Sequence, residues 1–168
     1  MGNVTIFRNI KDTSTPFYRD MESILLRIKE GKSKGLIKQI RSEKDKSVRQ
    51  ELKKNLPAIC FSGTFNKRSD SSLKEHSGFI CLDFDGYKTK KDMMSEKERL
   101  SKDRHVYSVF ISPSGNGLKA LIKIPKDSEN HKNYFLSLET RVNHISDILQ
   151  SDSGRNHQGI VLGITRSF

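Results

Sequence analysis

Val106–Tyr107–Ser108–Val109–Phe110–Ile111, then Ser112–Pro113–Ser114–Gly115–Asn116–Gly117, then Leu118–Lys119–Ala120–Leu121–Ile122–Lys123–Ile124, is the stretch that decides the fold class. Two apolar runs flank a short segment of turn-forming residues. Runs this close, with glycines between them, pair as an antiparallel hairpin.

Upstream, Lys90 to Arg104 is polar and compatible with a helix. Before it, Gly78–Phe79–Ile80–Cys81–Leu82 is an apolar strand that leads into Asp83–Phe84–Asp85–Gly86. Pro57–Ala58–Ile59–Cys60–Phe61 reads as another buried strand, closed by Ser62–Gly63, and Asn66 to His76 reads as a polar loop. Nearer the N-terminus, Met21, Ile24, Leu25 and Ile28 fall at helical spacing, with Gly31 as a stop. A second helix starts near Ser33 and carries Leu36, Ile37 and Ile40. Val4 to Ile10 is a first strand, and Lys11 to Pro16 a turn. Downstream, Phe135, Leu138, Val142, Ile145 and Leu149 mark a last helix from His131 to Leu149. Crossovers mixed with a hairpin predict an α+β fold with a mostly antiparallel sheet packed with helices, not a doubly wound parallel sheet. The 168 residues fit one domain, within which residues 20–54 form a basic helical portion.

The net charge of +11 favours polyanionic partners, because neutralised phosphates release counterions. Between Lys29 and Lys54 stand ten Lys or Arg and four Asp or Glu. Lys34, Lys38 and Arg41 are the candidates for nucleic-acid backbone contact, and a solvated helix face remains the alternative. Cys60 and Cys81 lie in apolar runs and read as buried free thiols. No stretch has the apolar length of a membrane span, and the first residues lack a signal-peptide layout, so a cytoplasmic protein without membrane contact is expected. The five histidines are dispersed without metal-ligand spacing and read mostly as surface residues.

Asp83–Phe84–Asp85 carries the strongest chemical signal. Alternate residues of a strand project to one face, so the two carboxylates point together and Phe84 points away. Two adjacent carboxylates repel unless a cation lies between them, and Mg²⁺ or Mn²⁺ takes oxygen ligands from such a pair while leaving positions for phosphate. A solvated strand end before Gly86 is the plainer alternative. Ser112, Ser114, Gly115, Asn116 and Gly117, with Lys119, form the second signal: backbone N–H groups, hydroxyls and one ammonium suited to phosphate. A plain hairpin turn explains the same residues. Asp152, after the last helix, is a candidate third acid or a loop aspartate.

Three blocks, Leu56 to Phe65, Ser77 to Asp85 and Ser112 to Ala120, resemble the VirE N-terminal domain group, which is similar to the archaeo-eukaryotic primase (prim-pol) superfamily of phages and mobile elements. The resemblance implies a sheet like that of an RNA-recognition motif in a primase-like core. It implies a metal-dependent nucleotidyltransferase acting on nucleoside triphosphates over a nucleic-acid template in DNA replication, often beside a helicase. Asp83 and Asp85 would be the first metal-binding motif, Ser112 to Lys119 the nucleotide-binding motif, and Asp152 the third acid. Lys119 stands where the superfamily usually places a histidine, and more sheet is expected after Phe168, so the chain reads as shortened at its C-terminus. Two alternatives stand beside this reading. One is a nucleic-acid-binding module that kept the fold without turnover. The other is a haloacid-dehalogenase-like phosphatase, in which Asp83 would attack phosphate and Asp85 would act as acid–base.

Overall fold

The computed structural model describes residues 2–140 and the strand Val161–Gly163. The fold is α+β, built from short helices and three antiparallel sheets. It divides into two compact units. Among the described residues, the first holds the chain from residue 2 through Phe79 with the turn tip Pro113–Gly115, and the second holds Ile80–Ser112, residues 116–140 and Val161–Gly163.

The first unit begins with β1 (Asn3–Phe7) and β2 (Phe17–Asp20), followed by α1 (Met21–Lys29), α2 (Lys34–Ser42) and α3 (Lys46–Lys53). Asp20 caps α1 by accepting from the Ser23 backbone N–H at 2.8 Å, and Gly31, at φ +68°, turns the chain after it. The basic arm is not one helix. Glu43 leaves α2 in extended backbone, and Asp45 caps α3 by accepting from Val48 N–H at 2.9 Å. Next come β3 (Ala58–Cys60), β4 (Gly63–Phe65) and β5 (Leu73–His76). β1 pairs with β2 on one side and β3 on the other, and β4 pairs with β5. Buried Thr5 ties the two sheets together, for its hydroxyl donates to Gly63 O and accepts from Phe65 N–H.

Two sequence expectations are corrected here. The expected loop from Asn66 to His76 contains a 3₁₀ turn (Asp70–Ser72) and β5. His76 is buried rather than at the surface, and its Nδ1 accepts from Gly78 N–H at 3.1 Å, which turns the chain into the next strand.

The second unit comprises β6 (Phe79–Asp85, its first residue shared with the first unit), α4 (Lys90–Ser101), β7 (Val106–Ile111), β8 (Leu118–Lys123), a helix over residues 131–140 (α5) and β9 (Val161–Gly163). The strands lie in the order β7-β8-β6-β9. A β-α-β-β-α-β chain with this order is the split βαβ arrangement, the sheet layout of an RNA-recognition motif. Ile80, Leu82 and Phe84 of β6 and Leu118, Ala120 and Ile122 of β8 point to one face. Met93 and Leu100 of α4 cover that face, joined by Tyr134, Phe135 and Leu138 of α5. Thr89 caps α4 by accepting from Asp92 N–H at 3.1 Å.

Candidate metal and phosphate site

Burial along β6 alternates at its C-terminal end: Asp83 is half-buried, Phe84 fully buried and Asp85 exposed. The pleat sends both carboxylates to the face away from α4, as the spacing predicts. β8 lies beside β6, and its residue Lys119 points the same way because Leu118 and Ala120 fill the core. The Lys119 ammonium donates to Asp83 Oδ1 and forms an ion pair with it, the side chains being 20% and 14% exposed. On the other side of β6, β9 pairs antiparallel, with Gly163 opposite Asp83 and Val161 opposite Asp85.

The end of the hairpin turn reaches the same place. A Cβ on Gly117 would overlap the Asp85 carboxylate and come within 2.8 Å of Phe84 O. Glycine is therefore required there so that the backbone can approach β6 closely. The turn is closed by Ser112 N–H donating to Gly117 O at 2.8 Å, and Ser112 is buried. The spacing thus brings together Asp83, Asp85, Gly117 and Lys119 within one unit.

The electrostatics follow from this placement. Burial pushes the Asp83 carboxyl above its ordinary value, Lys119 pulls it back down, and Asp85 raises it. Cys81 lies on the same face, and burial pushes its thiol up to about 12. Without a metal the thiol stays protonated, as an apolar setting favours. Asp83 and Asp85 offer two carboxylates, all hard oxygen. That set fits Mg²⁺ or Mn²⁺, which are commonly held by one or two carboxylates with substrate phosphate and water completing the shell. No group of three metal-ligating side chains occurs among the described residues. Asp152, the candidate third acid, lies outside them.

The other predicted residues are placed as follows. Gly115 has φ +82°, so the turn tip needs glycine. In the first unit, Arg41 Nε donates to Pro113 O at 3.2 Å, and its side chain lies over Gly115, 3.0 Å from where a Cβ would sit. This contact was not visible in the sequence, where Arg41 read as a phosphate contact or as part of a solvated helix face. Lys34, Lys38 and Arg41 are exposed on α2 at positions i, i+4 and i+7, which is one helix face. Of the aromatic side chains that could stack on a base, Phe65 is in the first unit's core. Tyr87 packs against the second unit's core with its hydroxyl buried. Tyr107 lies under the Lys123 ammonium, 5.1 Å from its ring centre. Cys60 and Cys81 are buried free thiols. No helix among the described residues is long and apolar enough to cross a membrane.

The family whose model matches residues 51–151 is described as BT4734-like, N-terminal domain. The chain belongs to this family. The matched span contains Asp83, Asp85 and the whole segment from Ser112 to Lys119. It leaves Lys34, Lys38, Arg41 and Asp152 outside. Comparison with curated proteins and with solved structures gives no match.

Proposed function

We propose that this BT4734-like domain is a metal-dependent nucleotidyltransferase of the primase-polymerase type, serving the replication of a phage or mobile element. One observation carries the reading. The carboxylates of Asp83 and Asp85 share a face of one strand, and the Gly-rich turn delivers Gly117 against Asp85 and Lys119 against Asp83. Carboxylates, a phosphate-compatible turn and a cation at one end of an antiparallel sheet are the minimum equipment for positioning a triphosphate.

Asp83 and Asp85, with Asp152 as the third acid, would hold Mg²⁺ or Mn²⁺, which when bound neutralises triphosphate charge and lowers the pKa of an attacking hydroxyl. The chain's own part is binding and orientation. Backbone N–H groups of Gly115, Asn116 and Gly117 and the hydroxyls of Ser112 and Ser114 grip phosphate oxygens. Lys119 adds a point charge, and the basic face of α2 holds template backbone without reading sequence. A helicase acting on the same template would be the natural companion. The resemblance of the three sequence blocks to the VirE N-terminal group and the prim-pol superfamily supports this assignment, as does the split βαβ order of the sheet.

A second reading is favoured by the ion pair itself. A cation of the chain already neutralises Asp83. A domain in which that pair persisted would bind nucleic acid without turnover. The test supplies Mn²⁺, a single-stranded template and labelled nucleotides to the protein, with a generic phosphatase substrate in parallel. Extension by the wild type that falls at least 100-fold in Asp83→Ala is the expected outcome. Template binding without extension would replace the proposal with the binding module, and phosphate release without extension would replace it with the phosphatase.

A further inference from the structure

Lys119 and Asp83 meet where both are largely withdrawn from water. A pair of this kind behaves as a unit, because removing one partner leaves the other charge desolvated and uncompensated. A divalent cation that takes Asp83 as a ligand must therefore do two things. It must come close to a like charge, and it must take Asp83 from the ammonium that already pairs with it. Both effects weaken the binding of a bare metal ion, and the low effective dielectric of a half-buried site enlarges them. A phosphate group changes the balance. It gives the displaced ammonium a new anionic partner, and Lys119 needs only a rotation of its flexible side chain to reach one near the turn.

We propose that Lys119 is an internal cation that keeps bare divalent metal off Asp83 and yields that carboxylate when a polyphosphate arrives. Metal and nucleotide then load together, each raising the affinity of the other, as linkage requires. Lys119 is in this account a positioning residue whose role goes beyond phosphate contact. It prevents the acidic pair from filling with metal before substrate is present. The inference rests on the metal reading of Asp83 and Asp85, and its test separates the two.

The full chain is titrated with Mn²⁺ alone, and the free aqueous ion is followed by electron paramagnetic resonance. Wild type, Lys119→Met, Lys119→Gln, Asp83→Asn and the Lys119→Met, Asp83→Asn double variant are compared, each first checked for a folded circular-dichroism spectrum. Lys119→Met removes the charge and keeps the aliphatic stem. Lys119→Gln provides a polar replacement should the methionine disturb the fold. Removing the cation should tighten Mn²⁺ binding at least tenfold, and Asp83→Asn should erase that gain. Asp83-dependent binding in the wild type that Lys119→Met and Lys119→Gln leave unchanged or weaken would overturn this inference and leave the metal reading standing. Absence of Asp83-dependent Mn²⁺ binding in every variant would overturn the metal reading, and this inference with it.

Discussion

The two faces of β6 carry opposite kinds of side chain. Ile80, Leu82 and Phe84 are 2%, 1% and 0% exposed and lock the strand against α4. Cys81, Asp83 and Asp85 alternate with them, and the last two bring negative charge into a setting where the Asp83 side chain is largely withdrawn from water. One strand thus has an apolar side that fixes its position and a polar side that gains nothing by burial. The like-charge contact of Asp85 with Asp83 and the desolvation of Asp83 both oppose folding, and Lys119 offsets only part of them. The rigid face makes the strained face affordable. A site built on a packed strand also keeps its geometry better than one on a loop.

The strongest way to break this comparison is to remove the anchor. Phe84→Ala deletes a fully buried ring on the face of β6 opposite the two carboxylates. It should cost about 3–5 kcal/mol, a large part of the stability of a domain this size. Urea unfolding followed by circular dichroism measures it. A loss below about 1 kcal/mol would mean that Phe84 does not anchor the strand.

Residues 106–124 were legible because two independent signals agreed there: apolar runs of strand length, and a turn that only a hairpin could use. β7 and β8 occur as Val106–Ile111 and Leu118–Lys123, within a residue of the sequence reading. The common direction of Asp83 and Asp85 was legible for the same reason, since it needs only the two-residue pleat. β2 and β5 were not. Phe17–Asp20 is a four-residue edge strand with no buried residue, and Leu73–His76 buries only its last, so neither leaves an apolar alternation to read. The pairing of Lys119 with Asp83 depends on β8 lying beside β6, a neighbour relation across 36 positions that no local pattern encodes. Gly117 was read for its openness to an anion, whereas its contact with Asp85 and Phe84 shows a packing requirement.

That requirement gives a prediction of intermediate size, aimed at the seam between turn and strand. The added methyl of Gly117→Ala meets a carboxylate that can rotate and a backbone carbonyl at 2.8 Å that cannot. Overpacking of this kind should cost about 1–3 kcal/mol, read from the urea midpoint. The displaced Asp85 should also weaken Mn²⁺ binding. A variant as stable as the wild type would show that the turn can withdraw from β6 freely.

The smallest effect sharpens the comparison most, because it touches only the polar face. Asp85→Asn keeps the shape of an exposed side chain and removes a charge, so stability should move by no more than about 0.5 kcal/mol. Its direction is fixed by linkage. The raised Asp83 value means that the folded chain holds that proton more tightly than the unfolded chain does. The Asp83 contribution therefore favours the folded state fully below the ordinary value of 3.8 and is lost as pH rises through the raised one. Asp85 is one cause of that rise, so neutralising it should lower the Asp83 value, narrow the window and leave the protein slightly more stable at neutral pH. Carboxyl carbon chemical shifts of Asp83, followed through a pH titration by nuclear magnetic resonance, read the change directly. An Asp83 titration that does not move in Asp85→Asn would mean that the two carboxylates do not sense each other, and a shared cation between them would lose its electrostatic basis.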